Sequence, residues 1–166
     1  MEISFRKAEM ADLEEVYRLV RDAVAHMEEQ NIMQWDELYP TRDDLLTDIE
    51  EDQLTVGVTE GNIAVIYVLN QESEAEYVNG NWQRPDEPYF VIHRLCVSPD
   101  FQNRGVARQT LLQIEKTLRA SGIHAIRLDV FTQNPFALRL YEGLGYVKTG
   151  YADWRKGRFL LMEKYI

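Results

Sequence analysis

The sequence predicts a single α/β domain of the mixed, α+β kind, spanning residues 1–166, on three grounds. Its 166 residues are enough for one continuous core and too few for two. Its hydrophobic periodicity switches repeatedly between the spacing of helices and that of strands. Its elements run strand, helix, helix, strand, strand, strand, helix, strand, helix, strand, strand; the middle is a meander, and only the later strand-helix-strand units require parallel pairing.

Ile3 to Arg6 form a short first strand, and Leu13, Val16, Tyr17, Val20, Val24 and Met27 then recur at helical spacing. Residues 28–40 have no period but carry Met33, Trp35 and Tyr39, large side chains for a connection; Trp35 and Tyr39 either fill a satellite core or stack on a substrate. Thr41, three residues before Asp44, is placed to cap a second helix through Leu45, Leu46 and Ile49. Leu54 to Thr59 and Ile63 to Leu69 flank Glu60, Gly61 and Asn62 as a hairpin. The polar, acidic stretch 71–88 holds two prolines and reads as a long loop. Tyr89 to Val97 is an apolar strand ended by Ser98, Pro99 and Asp100. Val106, Leu111, Leu112, Ile114 and Leu118 mark a third helix that stops near Gly122. Ala125 to Thr132 is a branched strand, and Asn134-Pro135 opens a fourth helix that Gly145 closes. Tyr146 to Trp154 and Phe159 to Tyr165 are strands around a basic turn.

An apolar share of 45% with 28% charged residues is that of a soluble globular chain, and no run of apolar residues is long enough to span a membrane. The opening residues lack the apolar core of a signal peptide and Cys96 is the only cysteine, so the expectation is a cytoplasmic protein without disulfides. A net charge of -10 argues against nucleic acid, which needs a basic face. Residues 1–60 hold 17 acidic against 5 basic side chains. That acidity either solvates the surface or attracts a cationic amine.

Gln102, Asn103, Arg104, Gly105, Val106 and Ala107 follow the strand Tyr89 to Val97 by a short turn and open the third helix. A helix start presents unpaired amides and the positive end of its dipole, which suit a phosphate. Gly105 lets backbone approach a ligand closely, while Arg104 and Arg108 add charge. A plain helix cap with solvated arginines fits the same pattern. The dinucleotide and nucleoside triphosphate signatures are absent.

A second cluster, Asn134, Ala137, Leu140, Tyr141, Leu144, Gly145 and Tyr146, follows the next strand. Together the two segments resemble the GCN5-related N-acetyltransferase (GNAT) family, whose donor motifs are a [QR]-x-x-G-x-[GA] turn and an N-x-x-A-x-x-L-Y-x-x-x-G-[FY] helix. The resemblance covers nearly the whole chain. It implies a central, mostly antiparallel sheet of about seven strands with about four flanking helices and splayed fourth and fifth strands. It implies acetyl-CoA as acyl donor, no metal, and an acceptor that is a small-molecule or peptide amine attacking the thioester directly in a ternary complex. The pyrophosphate would lie on amides of Gln102 to Arg108, and the pantetheine arm beside Leu95, Cys96 and Val97. Tyr141 matches the tyrosine that protonates the departing thiolate. His93, two residues before Leu95, is the candidate base, or else a hydrogen-bonded structural histidine. Asn134 either contacts the coenzyme or only caps its helix. Strand alternation sets Cys96 opposite His93, Leu95 and Val97, a buried filler and no acetyl carrier. A coenzyme-binding regulator without turnover is the alternative function. Similar domains pair through strands like those after Tyr146, so a homodimer is an expectation.

Overall fold

The computed structural model describes residues Met1–Ile166. The elements follow the predicted order: β1 (Ser4–Lys7), α1 (Leu13–Glu29), α2 (Arg42–Glu50), β2 (Leu54–Thr59), β3 (Asn62–Asn70), β4 (Tyr89–Val97), α3 (Val106–Ala120), β5 (Ala125–Phe131), α4 (Pro135–Gly143), β6 (Val147–Trp154) and β7 (Gly157–Tyr165). The seven strands form one sheet in the order β1-β2-β3-β4-β5-β7-β6. Pairing is antiparallel for β1 with β2, β2 with β3, β5 with β7 and β6 with β7. It is parallel for β4 with β5, where Tyr89, Phe90 and Val91 are in register with Ala125, Ile126 and Arg127. The mixed α/β class, with seven strands and four α-helices, is the one expected. No helix is long and apolar enough to cross a membrane.

Two compact units divide the chain: residues 1–69 with 94–111, and residues 70–93 with 112–166. In the first unit, the apolar stripe of α1 buries Leu13, Val16, Leu19, Val20, Ala23 and Val24. It packs with Leu45 and Ile49 of α2, Leu54 and Val56 of β2, and Cys96 of β4. Trp35 belongs to this core, so the irregular 28–40 segment is held by apolar burial. Thr41 and Asp44 form the reciprocal cap that the sequence suggested: the Asp44 amide donates to Thr41 Oγ1 at 3.1 Å and the Thr41 amide donates to Asp44 Oδ2 at 2.8 Å. A second cluster joins Ile3, Ala64, Val65, Phe101 and Val106, with Leu95 and Val97 packed against it.

The second unit departs from the sequence reading in segment 71–88. This stretch contains a 3-10 helix, Ala75–Asn79, that lies against β6. The Asn81 amide donates to Thr149 O at 2.8 Å, and the Trp154 indole donates to Glu76 Oε2 at 3.0 Å. Gly150 makes the approach possible, since a Cβ there would lie 2.5 Å from Asn79 O. Tyr77 stacks on Trp82 with centroids 5.7 Å apart and is buried with Val91, Ala152 and Leu161. The Arg127 guanidinium lies 3.7 Å from the Tyr89 ring centroid and 4.3 Å from that of Trp82. Single aromatic anchors hold this segment, which is why it shows no period.

Candidate active site

In the first unit, a short 3-10 turn, Pro99–Phe101, buries Phe101 and delivers the chain to the start of α3. Asn103 and Gly105 then adopt left-handed conformations, φ 60° and 77°, on either side of Arg104. Such alternation turns successive amides towards one concave nest, which together with the orphan amides of the first helical turn suits an anion. Nothing lies within 4 Å of the position a Cβ on Gly105 would occupy, so the backbone there is open to a ligand. This cradle fits a pyrophosphate.

The side chains of the turn have other tasks. Gln102 donates its amide to Val97 O at 3.2 Å and so ties the turn to β4. Arg104 donates to Glu60 Oε1 at 2.8 Å, with its guanidinium 5.1 Å from the Phe101 ring centroid. Val106 is buried and fixes the helix start in the core, Ala107 is half-buried, and Arg108 is exposed.

On β4, Leu95 and Val97 pack on the Phe101 cluster while Cys96 sits in the core with α1 and α2, as alternation required. His93 does not follow from the same count. Arg94 has φ 49°, a left-handed residue within the strand, and this interrupts the alternation on which the placement of His93 opposite Cys96 rested. Arg94 Nε and Nη2 donate to the Asp48 carboxylate at 2.8 and 2.6 Å, and Nη1 donates to the Tyr39 hydroxyl at 2.7 Å. Burial pushes the Cys96 thiol up to about 12, against the opposing charge of Arg21. A neutral thiol is a poor nucleophile. Cys96→Ala should therefore keep kcat while losing roughly 1 kcal/mol of stability, read by steady-state turnover and urea unfolding. Loss of turnover with intact coenzyme binding is the contrary result.

In the second unit, Tyr141 is buried on α4 with its ring meeting Tyr146 edge-on, centroids 5.6 Å apart. Burial first, and the negative charge of Asp129 second, raise its hydroxyl above the ordinary 10. Asn134 caps α4, its Oδ1 accepting from the Ala137 amide at 3.1 Å. His93 Nε2 faces two acceptors, Asn70 Oδ1 at 2.9 Å and Glu72 O at 3.0 Å. Nε2 therefore carries the proton, and a basic role for His93 has to use Nδ1.

Two groupings escaped the sequence reading. One is Arg94 with Asp48 and Tyr39, which no local pattern announces. The other is Tyr77 with Asp129, where the Tyr77 hydroxyl donates to Asp129 Oδ2 at 2.7 Å. For Asp129 a signal existed: the charged pair Arg127 and Asp129 at alternate positions of an otherwise apolar strand.

Comparison with known proteins places these features in a family. The profile described as the Acetyltransferase (GNAT) family matches residues 13–146. The [Ribosomal protein bS18]-alanine N-acetyltransferase of Salmonella typhimurium is 36% identical over 56 residues, 34% of this chain and 38% of that protein. The L-amino acid N-acyltransferase MnaT of Escherichia coli is 32% identical over 71 residues, 42% of this chain and 41% of that one. The chain thus matches less than half the length of either relative. Among solved structures, a GNAT family acetyltransferase from Streptococcus agalactiae superposes with a TM-score of 0.88 at 23% identity, covering 99% of this chain and 95% of that one. The PaiA N-acetyltransferase of Thermoplasma acidophilum, in complex with coenzyme A, superposes at 0.72 with 21% identity, covering 100% of both chains. The profile spans most of this sequence, and the chain belongs to the GNAT acetyltransferase family.

Proposed function

We propose that this chain is a coenzyme A-dependent N-acetyltransferase, one domain over residues 1–166, that moves an acetyl group from acetyl-CoA directly to a primary amine. The observation that carries this reading is the anion nest at Asn103 to Gly105, open above Gly105 and continued by the first turn of α3. In this reading the amides from Gln102 to Arg108 hold the pyrophosphate. Backbone groups of Leu95 and Val97 pair with the pantetheine arm as an added strand would. An amide near Val97 donates to the oxyanion that forms on the thioester carbonyl. Tyr141, protonated throughout the neutral range, gives a hydrogen bond and then a proton to the sulfur as the C–S bond breaks. His93 accepts a proton on the acceptor side through Nδ1.

The named relatives act on the alanine of a ribosomal protein and on L-amino acids. Both are primary amines, so a small-molecule or peptide amine is the acceptor class for this chain. The test mixes the protein with acetyl-CoA and a panel of amines and follows free thiol. Amine-dependent thiol release is expected. Tight coenzyme binding with no release for any amine would instead assign the chain to coenzyme-binding regulation without turnover.

A further inference from the structure

We propose that Asp129 is a catalytic residue: its carboxylate meets the acceptor's ammonium and takes the proton that must leave before the nitrogen can attack, with Tyr77 holding the carboxylate in place. The inference rests on the acetyltransferase reading above.

Of the seven residues of β5, six are buried and only Asp129 is not. It stands between buried Leu128 and Val130, at a point where an unsolvated carboxylate would be costly. Its Oδ2 accepts from the Tyr77 hydroxyl at 2.7 Å. Tyr77 is itself buried and raised well above 10, by burial first and by Asp129 second, so it remains a donor at any working pH. The hydrogen bond therefore fixes the carboxylate without protonating it.

The parallel pairing of β4 with β5 ends at Val91 and Arg127, and His93 and Asp129 each lie two residues beyond that last pair on their own strands. Segment 70–77 supplies partners to both, Asn70 and Glu72 to His93 and Tyr77 to Asp129. The titratable and charged groups around Asp129 are Tyr77 from that segment, on which Glu74 also acts, Tyr141 from α4 and Arg127 from its own strand. Neighbouring β7 places apolar Leu161 in register. The charge of Asp129 bears on Tyr141, the residue assigned to the leaving sulfur, so the carboxylate lies near the other end of the proton path.

The step balances without a further reactant. An ammonium and a thioester give an amide, a thiol and one proton. Asp129, in place of His93, takes the first N–H proton and passes it to solvent, which its partial exposure permits. The freed lone pair forms the C–N bond, the C–S bond breaks with its electron pair on sulfur, and Tyr141 protonates that sulfur. The second N–H proton leaves the nitrogen and restores Tyr141.

Asp129→Asn keeps the shape and the acceptor oxygen for Tyr77. Its kcat/KM should fall about 100-fold at pH 7 and recover as pH rises towards the amine's own pKa of about 10, where the acceptor arrives already neutral. Coenzyme affinity should not change. Tyr77→Phe keeps the carboxylate but removes a hydrogen bond to its charged form, so the acid limb of its pH–rate profile should move to higher pH. A loss equal at every pH, no loss at all, or an unmoved acid limb in Tyr77→Phe overturns the inference while the wild-type protein still acetylates. A wild-type protein silent towards every amine overturns the acetyltransferase reading, and this inference with it.

Discussion

Tyr141→Phe is expected to lower kcat about 100-fold while leaving the KM for acetyl-CoA within about twofold. The substitution retains the buried ring and its edge contact with Tyr146, so the thermal transition should stay within a few degrees of the wild type. What disappears is one hydroxyl. A thiol of pKa about 8.5 is a tolerable leaving group as the thiolate, so the phenol is needed chiefly at the moment the C–S bond stretches and charge gathers on sulfur. An interaction confined to that moment appears in kcat and not in donor binding. Because burial and Asp129 hold the Tyr141 hydroxyl above 10, no alkaline loss of activity from its ionisation should appear in the neutral range. An unchanged kcat would remove Tyr141 as the acid.

The largest effect on stability is expected at Arg94. Its guanidinium grips Asp48 with two hydrogen bonds, and Asp48 is only 5% exposed. Arg94→Ala would leave that carboxylate buried without its cation, a loss of about 3–5 kcal/mol at pH 7. The pH dependence gives the cause away. Burial already raises the Asp48 pKa against the pull of Arg94, and removing Arg94 raises it further. A carboxyl whose folded pKa lies above its unfolded value contributes stability below the unfolded value, and loses that contribution as pH rises through the folded one. The deficit of Arg94→Ala should therefore be greatest at neutral pH and shrink towards about pH 4, in urea unfolding at a series of pH values. A deficit independent of pH would mean that lost packing, not stranded charge, is responsible.

Elements governed by neighbours in sequence were legible. The Thr41 and Asp44 cap, the turn around Gly61 and the Asn134-Pro135 start are local arrangements, and each stands where the sequence put it. The turn at Gly105 was legible for the same reason, since a glycine after a strand and before a helix is a local pattern. Features that depend on distant partners were not. Nothing about arginine announces a left-handed residue at position 94; the bidentate hold of Asp48, 46 residues away, accompanies it. The proton on His93 Nε2 is settled by Asn70, just past the strand that the sequence ended at Leu69, and by Glu72, in the stretch it read as a loop. The 3-10 helix inside 71–88 depends on Tyr77, Trp82 and Trp154 finding surfaces elsewhere in the chain, and composition alone reads such a stretch as unstructured.

The contact of Arg104 with Glu60 bears on how the turn before α3 would meet a charged ligand. Without a ligand, the turn already has an anion of its own, reached from the hairpin between β2 and β3. A phosphate that engages Arg104 trades places with that carboxylate, so the number of ion pairs is conserved and little is gained from charge alone. Affinity then has to come from the amides of the nest, which Glu60 does not occupy, and these reward a ligand for its shape. Under the proposed coenzyme reading, the resident carboxylate would make the turn a filter, favouring an anion long enough to lie along the backbone over a simple one.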